Sequence, residues 1–149
     1  VLLPAGTGTA TSEPQQAQPA AITAGPRVRV LLMDDERPIR DMATRMLARG
    51  GCDVVCVADG TEAIDACEAA CRAGTPFNVA VLDITVPGGM GGRDTLRHLK
   101  KRYPDLAVVL SSGYAEDAMA ADDCRPAGFL PKPYQMNELL SCVRAAAKR

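Results

Sequence analysis

The chain has 149 residues, 47% of them hydrophobic and 23% charged, and its 17 Lys+Arg against 18 Asp+Glu leave a formal charge of -1. That length suffices for one domain plus a tail. The balanced charge excludes a general attraction to nucleic-acid phosphates, and no apolar run approaches the roughly 20 residues needed to cross a bilayer.

Taken in chain order, residues 1–26 read as a flexible linker. From Pro4 onward Thr, Ala, Pro, Gln and Gly dominate, Glu13 is the one charge, and no helical or strand period is present. Val1-Leu2-Leu3 is too short for the apolar core of a secretory signal, and a start at Val1 instead of Met predicts a piece cut from something longer. From Arg27 the pattern becomes five alternations of an apolar run with an amphipathic segment, without internal repeats. The runs are 28–33, 54–57, 79–82, 107–110 and the short 129–130, largely β-branched or aromatic and mostly without polar alternation. Strands buried on both faces of a parallel sheet read this way.

The segments between the runs carry helical signals. Ile39, Met42, Ala43, Met46 and Leu47 define one amphipathic face, closed by Gly50-Gly51. Asp59 with Glu62 starts a second helix bearing Ile64, Cys67 and Cys71. Leu96, Leu99 and Tyr103 mark a third, stopped by Pro104, and residues 115–123 read as helical on a weak period. Met136, Leu139, Leu140, Val143 and Ala147 mark the last. Strand–helix alternation of this kind predicts an α/β domain, a doubly wound parallel sheet with helices on both faces.

Six cysteines stand at 52, 56, 67, 71, 124 and 142. A domain this large does not need disulfides, and the three-residue spacers in Cys52–Cys56 and Cys67–Cys71 are not the two or four usual for zinc. Each pair is expected to lie on one face of a strand or helix as small, buried, reduced apolar residues.

In open α/β sheets ligands bind outside the carboxyl ends of the strands. Here the first run ends in Asp34-Asp35-Glu36, the third in Asp83, the fourth in Ser111-Ser112-Gly113, and the fifth, after Pro131, in Lys132-Pro133. Any one polar strand end is ordinary; acids, a hydroxyl and a lysine from four strands at one sheet edge are not. Converging carboxylates repel by about 4 kcal/mol per pair at roughly 4 Å and an effective dielectric near 20. A divalent cation relieves this, and few protein oxygens with room for water and phosphate suit Mg²⁺ better than Ca²⁺. Beside such a cation, with Lys132 as a second positive clamp and Ser112 as a donor, a carboxylate can attack phosphorus and form an acyl phosphate.

Leu31-Leu32-Met33-Asp34-Asp35-Glu36, Val81-Leu82-Asp83-Ile84-Thr85-Val86-Pro87, Ser112-Gly113-Tyr114 and Lys132-Pro133-Tyr134 together resemble the receiver domain of two-component response regulators, over residues 27–149 and in the expected order. The resemblance implies a flavodoxin-like (βα)5 fold with strand order 2-1-3-4-5. It also implies Asp83 as phosphoacceptor, Asp34, Asp35 and Asp83 with the Thr85 carbonyl as an Mg²⁺ site, and Ser112 and Lys132 as phosphate contacts. Phe129 stands where the family keeps a switch aromatic, often Tyr, and the Lys132–Pro133 peptide is expected to be cis. The implied partners are a phosphohistidine of a histidine kinase and a histidine phosphotransfer protein; the implied location is cytoplasmic. The stretch 83–92 followed by Ser111-Ser112-Gly113-Tyr114 is similar to receivers at the C-terminus of hybrid sensor histidine kinases, and Val1-Leu2-Leu3-Pro4 is similar to the last strand of their ATP-binding domain.

Other readings of the same residues are weaker. Gly88-Gly89-Met90-Gly91-Gly92 fits neither common nucleotide-loop pattern and reads as a mobile loop after the third strand. His98, the single histidine, is expected on a helix away from the strand-end cluster, Glu36 as a cap or solvated, and Lys100-Lys101-Arg102 as a helix end favoured by the macrodipole. A haloacid-dehalogenase-type phosphatase would want D-x-D on the first strand, whereas Asp34 and Asp35 are adjacent. A receiver that only docks and never takes phosphate shares every acidic position with the main reading. No ATP-binding motif is present, so the chain alone is expected to show at most self-catalysed phosphorylation and dephosphorylation.

Overall fold

A computed structural model of the protein describes residues 27–114 and 124–148. The linker reading of 1–26, with its resemblance at Val1–Pro4, and the helix expected over 115–123 lie outside them. Five parallel strands, β1 (Arg29–Met33), β2 (Asp53–Val57), β3 (Val79–Asp83), β4 (Ala107–Ser112) and β5 (Gly128–Pro131), form one sheet in the order β2-β1-β3-β4-β5. This is the doubly wound order 2-1-3-4-5. The described helices are α1 (Arg37–Arg49), α2 (Gly60–Arg72), α3 (Gly92–Arg102) and α4 (Met136–Ala147).

Strand alternation divides the core into two layers. Val30, Leu32, Val79, Val81, Val109 and Leu130 face Ala43 and Leu47 of α1 and Leu139, Leu140 and Val143 of α4. Leu31, Met33, Ala80, Leu82, Val108 and Leu110 face Ala63 and Cys67 of α2 and Leu96 and Leu99 of α3. β3 and β4 are buried throughout. β2 and β5 are edge strands and are only partly covered, so burial on both faces does not extend to them. On α1, Met42 turns to solvent although it falls in the apolar period, because the helix buries only the Ala43–Leu47 side against the sheet.

Local chemistry sets the helix ends. Asp59 Oδ1 accepts from Glu62 N–H at 2.9 Å, and Glu62 Oε1 accepts from Ala58 N–H at 2.8 Å, one residue outside the usual reciprocal box. Asp59→Ala is expected to cost about 1 kcal/mol in urea unfolding; a change under ~0.3 kcal/mol would mean that the cap contributes nothing. At α4 the Gln135 N–H is met by Glu138 Oε1 at 2.9 Å. Lys100, Lys101 and Arg102 occupy the last turn of α3.

None of the six cysteines forms a disulfide. Cys52 and Cys67 are buried, and burial pushes the Cys67 thiol up to about 11. Cys71 is exposed, against expectation: one further turn along α2 its position has rotated past the edge of the core.

Candidate functional site

The carboxyl ends of β1, β3, β4 and β5 bring together the residues that the sequence placed there. Asp34 follows β1 and is 2% exposed; Asp83 closes β3 and is 5% exposed; Asp35 is open to solvent. Their carboxylate oxygens lie within 4.8 Å of one another, the one group of three or more metal-ligating side chains found among the described residues. Lys132, after β5, donates from Nζ to Asp34 Oδ2 at 2.7 Å and to Asp83 Oδ2 at 3.0 Å. Its backbone N–H meets the Ser112 carbonyl at 2.8 Å, tying the ends of β4 and β5 together. The Lys132–Pro133 peptide is cis, as expected.

Backbone donors orient the acids. Asp34 Oδ1 accepts from Glu36 N–H at 2.9 Å, and Asp83 Oδ1 from Thr85 N–H at 3.3 Å. Ser112 is 2% exposed and its Oγ accepts from Tyr114 N–H at 3.0 Å. Phe129 is half-buried, pairs in register with Leu110, and packs against the α2–α3 layer. Glu36 is exposed at the N-cap of α1 without a side-chain cap bond, and His98 is exposed on α3.

Burial raises the Asp83 carboxyl above its usual range, against the opposing pull of the Lys132 hydrogen bond and charge. For Lys132, burial acts to lower the ammonium, but its bonds to Asp34 and Asp83 outweigh this and hold it above its ordinary value. Tyr134, 5% exposed beneath the site, is pushed up to about 12, first by burial and then by the Asp34 charge. Two buried acids, a third in solvent and one ammonium make an anionic, hard-oxygen cup with an open side. That donor set fits Mg²⁺, which prefers carboxylates and retained water.

Two features were not legible in the sequence. Arg40, one turn into α1, donates from Nη1 to the Asp34 carbonyl at 2.6 Å. An arginine on a helix that already carries several gives no signal of this. The glycine stretch is the other. Gly88 has φ +77°, but a Cβ on Gly91 would stand 2.4 Å from the Ile84 carbonyl oxygen, and one on Gly92 2.6 Å from that of Asp83. Gly91 and Gly92 therefore serve close docking of α3 on the end of β3, beyond the turn-forming role read from sequence.

The order of the sheet, the acid cluster at its carboxyl edge and the lysine across it define an α/β domain with an anionic, metal-ligating cup at one sheet edge. The chain belongs to the response regulator receiver domain family, whose pattern matches residues 30–144. It is 38% identical over 117 residues to the sensor kinase CckA of Brucella abortus (strain 2308), covering 77% of this chain and 12% of that protein. It is 31% identical over 124 residues to the response regulator MprA of Mycobacterium tuberculosis (strain ATCC 25177 / H37Ra), covering 82% of this chain and 51% of that protein. The chain thus spans 12% of the one curated relative and about half of the other. Among solved structures, a sensor protein from Polaromonas sp. JS666 superposes with a TM-score of 0.70 at 26% identity, over 83% of this chain and 98% of that one. A response regulator receiver domain protein from Clostridium thermocellum gives 0.71 at 25% identity, over 82% and 95%.

The protein is accordingly a receiver domain of two-component signalling, a class that generally binds Mg²⁺ at an acidic cluster of this kind and works with histidine kinases or phosphotransfer proteins. Among the described residues no helix is long and apolar enough to cross a membrane.

Proposed function

We propose that Asp83 is the phosphoacceptor and that residues 27–149 form the receiver of a hybrid sensor histidine kinase, joined through the linker 1–26. The observation that carries the reading is the 3.0 Å contact of Lys132 Nζ with Asp83 inside a trio of carboxylates within 4.8 Å. An oxygen of the Asp83 carboxylate attacks the phosphorus of a phosphohistidine on the partner. The P–O bond forms as the P–N bond breaks, the imidazole leaves with the electron pair and takes up a proton, and Asp83 becomes an acyl phosphate. Asp34, Asp35, Asp83 and the Thr85 carbonyl would hold Mg²⁺, which would supply charge neutralisation for the incoming phosphoryl oxygens.

Lys132 begins paired with Asp83 and moves its ammonium onto a phosphoryl oxygen, while Ser112 contacts another. Because Lys132 and Ser112 join the ends of β4 and β5, their inward movement draws on β5 and on Phe129, shifting the population of its ring positions. The phosphoryl group then passes to water or to a histidine phosphotransfer partner, in the cytoplasm.

The test is incubation with acetyl phosphate and Mg²⁺ followed by intact-mass measurement. The expected result is a gain of one phosphoryl group, absent without metal and absent in Asp83→Asn. No gain under conditions that label another receiver would contradict the proposal and leave a docking-only domain. Steady phosphate release from unrelated monoesters would point to a phosphatase.

A further inference from the structure

We propose that Arg40 is a positioning residue for the cation site, acting through the backbone between Asp34 and Asp35. The inference rests on the reading of that acid cluster as an Mg²⁺ site. Asp34 is held at four points: its N–H donates to the Val57 carbonyl at 3.1 Å, its two carboxylate oxygens are met by Glu36 N–H and Lys132 Nζ, and its carbonyl accepts from Arg40 Nη1 at 2.6 Å. Asp35 differs: it is exposed, and nothing described fixes its carboxylate directly. The backbone from which it projects includes the peptide plane it shares with Asp34, and the hydrogen bond from Arg40 pins that plane's oxygen.

Arg40 sits one turn into α1 beside Asp34, and yet its guanidinium forms no ion pair among the described residues; its hydrogen bond goes to a neutral carbonyl. Geometry, more than charge pairing, is what this contact supplies. The Arg40 backbone is fixed as well, since its N–H donates to the Glu36 carbonyl at 3.1 Å and its carbonyl accepts from Thr44 Oγ1 at 2.7 Å. Partners that orient a metal ligand without touching the metal typically contribute ten- to a hundredfold in affinity.

Charge and positioning predict opposite signs here, which makes the inference testable. Arg40 is a cation beside a cation site, so removing its charge alone should tighten Mg²⁺ binding. Removing the hydrogen bond should loosen it. The experiment is calorimetric titration of the metal-free protein with MgCl2 for wild type, Arg40→Ala and Arg40→Gln, with urea unfolding and amide hydrogen exchange on the same samples. Positioning predicts roughly tenfold weaker Mg²⁺ binding in Arg40→Ala. It also predicts retention of wild-type affinity or better in Arg40→Gln, which keeps a donor without the charge, and faster exchange at the Glu36 amide, bonded to Asp34 Oδ1, with β3 and β4 unaffected. Unchanged or tighter binding in Arg40→Ala would overturn the inference, as would equal weakening in both variants. Failure of wild type to bind Mg²⁺ would instead remove the metal-site reading on which it rests.

Discussion

Lys132→Met is expected to destabilise the metal-free protein by about 3–5 kcal/mol at neutral pH. The Lys132 side chain is 16% exposed, those of Asp34 and Asp83 3% and 7%, and the ammonium contacts both acids. Methionine keeps much of the volume and removes the charge, leaving two carboxylates out of water with no cation. The pH dependence has a definite sign. Burial already raises Asp83, and losing Lys132 removes the contact that opposes it. A carboxyl raised in the folded state binds its proton more tightly there than in the unfolded chain, so the variant's deficit shrinks as pH falls and Asp83 protonates. Urea unfolding in EDTA at several pH values measures this. A pH-independent loss below ~1 kcal/mol would contradict a desolvated acid pair held by Lys132.

Gly92→Ala is the second large effect. A Cβ there would lie 2.6 Å from the Asp83 carbonyl oxygen and 3.0 Å from its carbon, and both are backbone atoms that cannot rotate away. The first turn of α3 must back off from β3, at a cost of about 1–3 kcal/mol; Gly92 is the first helical residue, where the gain that alanine brings to a helix interior offsets little of this. The strained residue is Asp83 itself, so phosphoryl uptake should slow along with the loss of stability. Gly113→Ala is the control: a Cβ there meets nothing within 4 Å, and no change beyond ~0.5 kcal/mol is expected. Equal stability of the two variants would mean that α3 does not depend on this approach.

Leu31–Leu32–Met33, Val79–Leu82 and Val108–Leu110 are apolar on both faces because helices cover both, so the central strands were legible in the chain, whereas their order came from the resemblance to receiver domains. Polar residues after those runs converge because parallel strands end at one edge, which is why Asp34, Asp83, Ser112 and Lys132 were legible together. The edges were not. Nothing in Val54–Val57 says that the strand lacks a second neighbour, and Cys71 keeps the helical period of Cys67 while lying past the rim of the core. Arg40 and Gly92 act through backbone atoms of other elements, and a contact of that kind leaves no mark in local composition.

The central claim is that Asp83, among all the acids at this edge, receives the phosphoryl group. Its most direct test is to load the protein with acetyl phosphate and Mg²⁺, reduce the acyl phosphate with borohydride, and sequence the peptides by tandem mass spectrometry. The account predicts homoserine in place of aspartate at position 83, with Asp34 and Asp35 unmodified. Homoserine at either of those positions, or at none with the phosphoryl group on a hydroxyl or on His98, would contradict it.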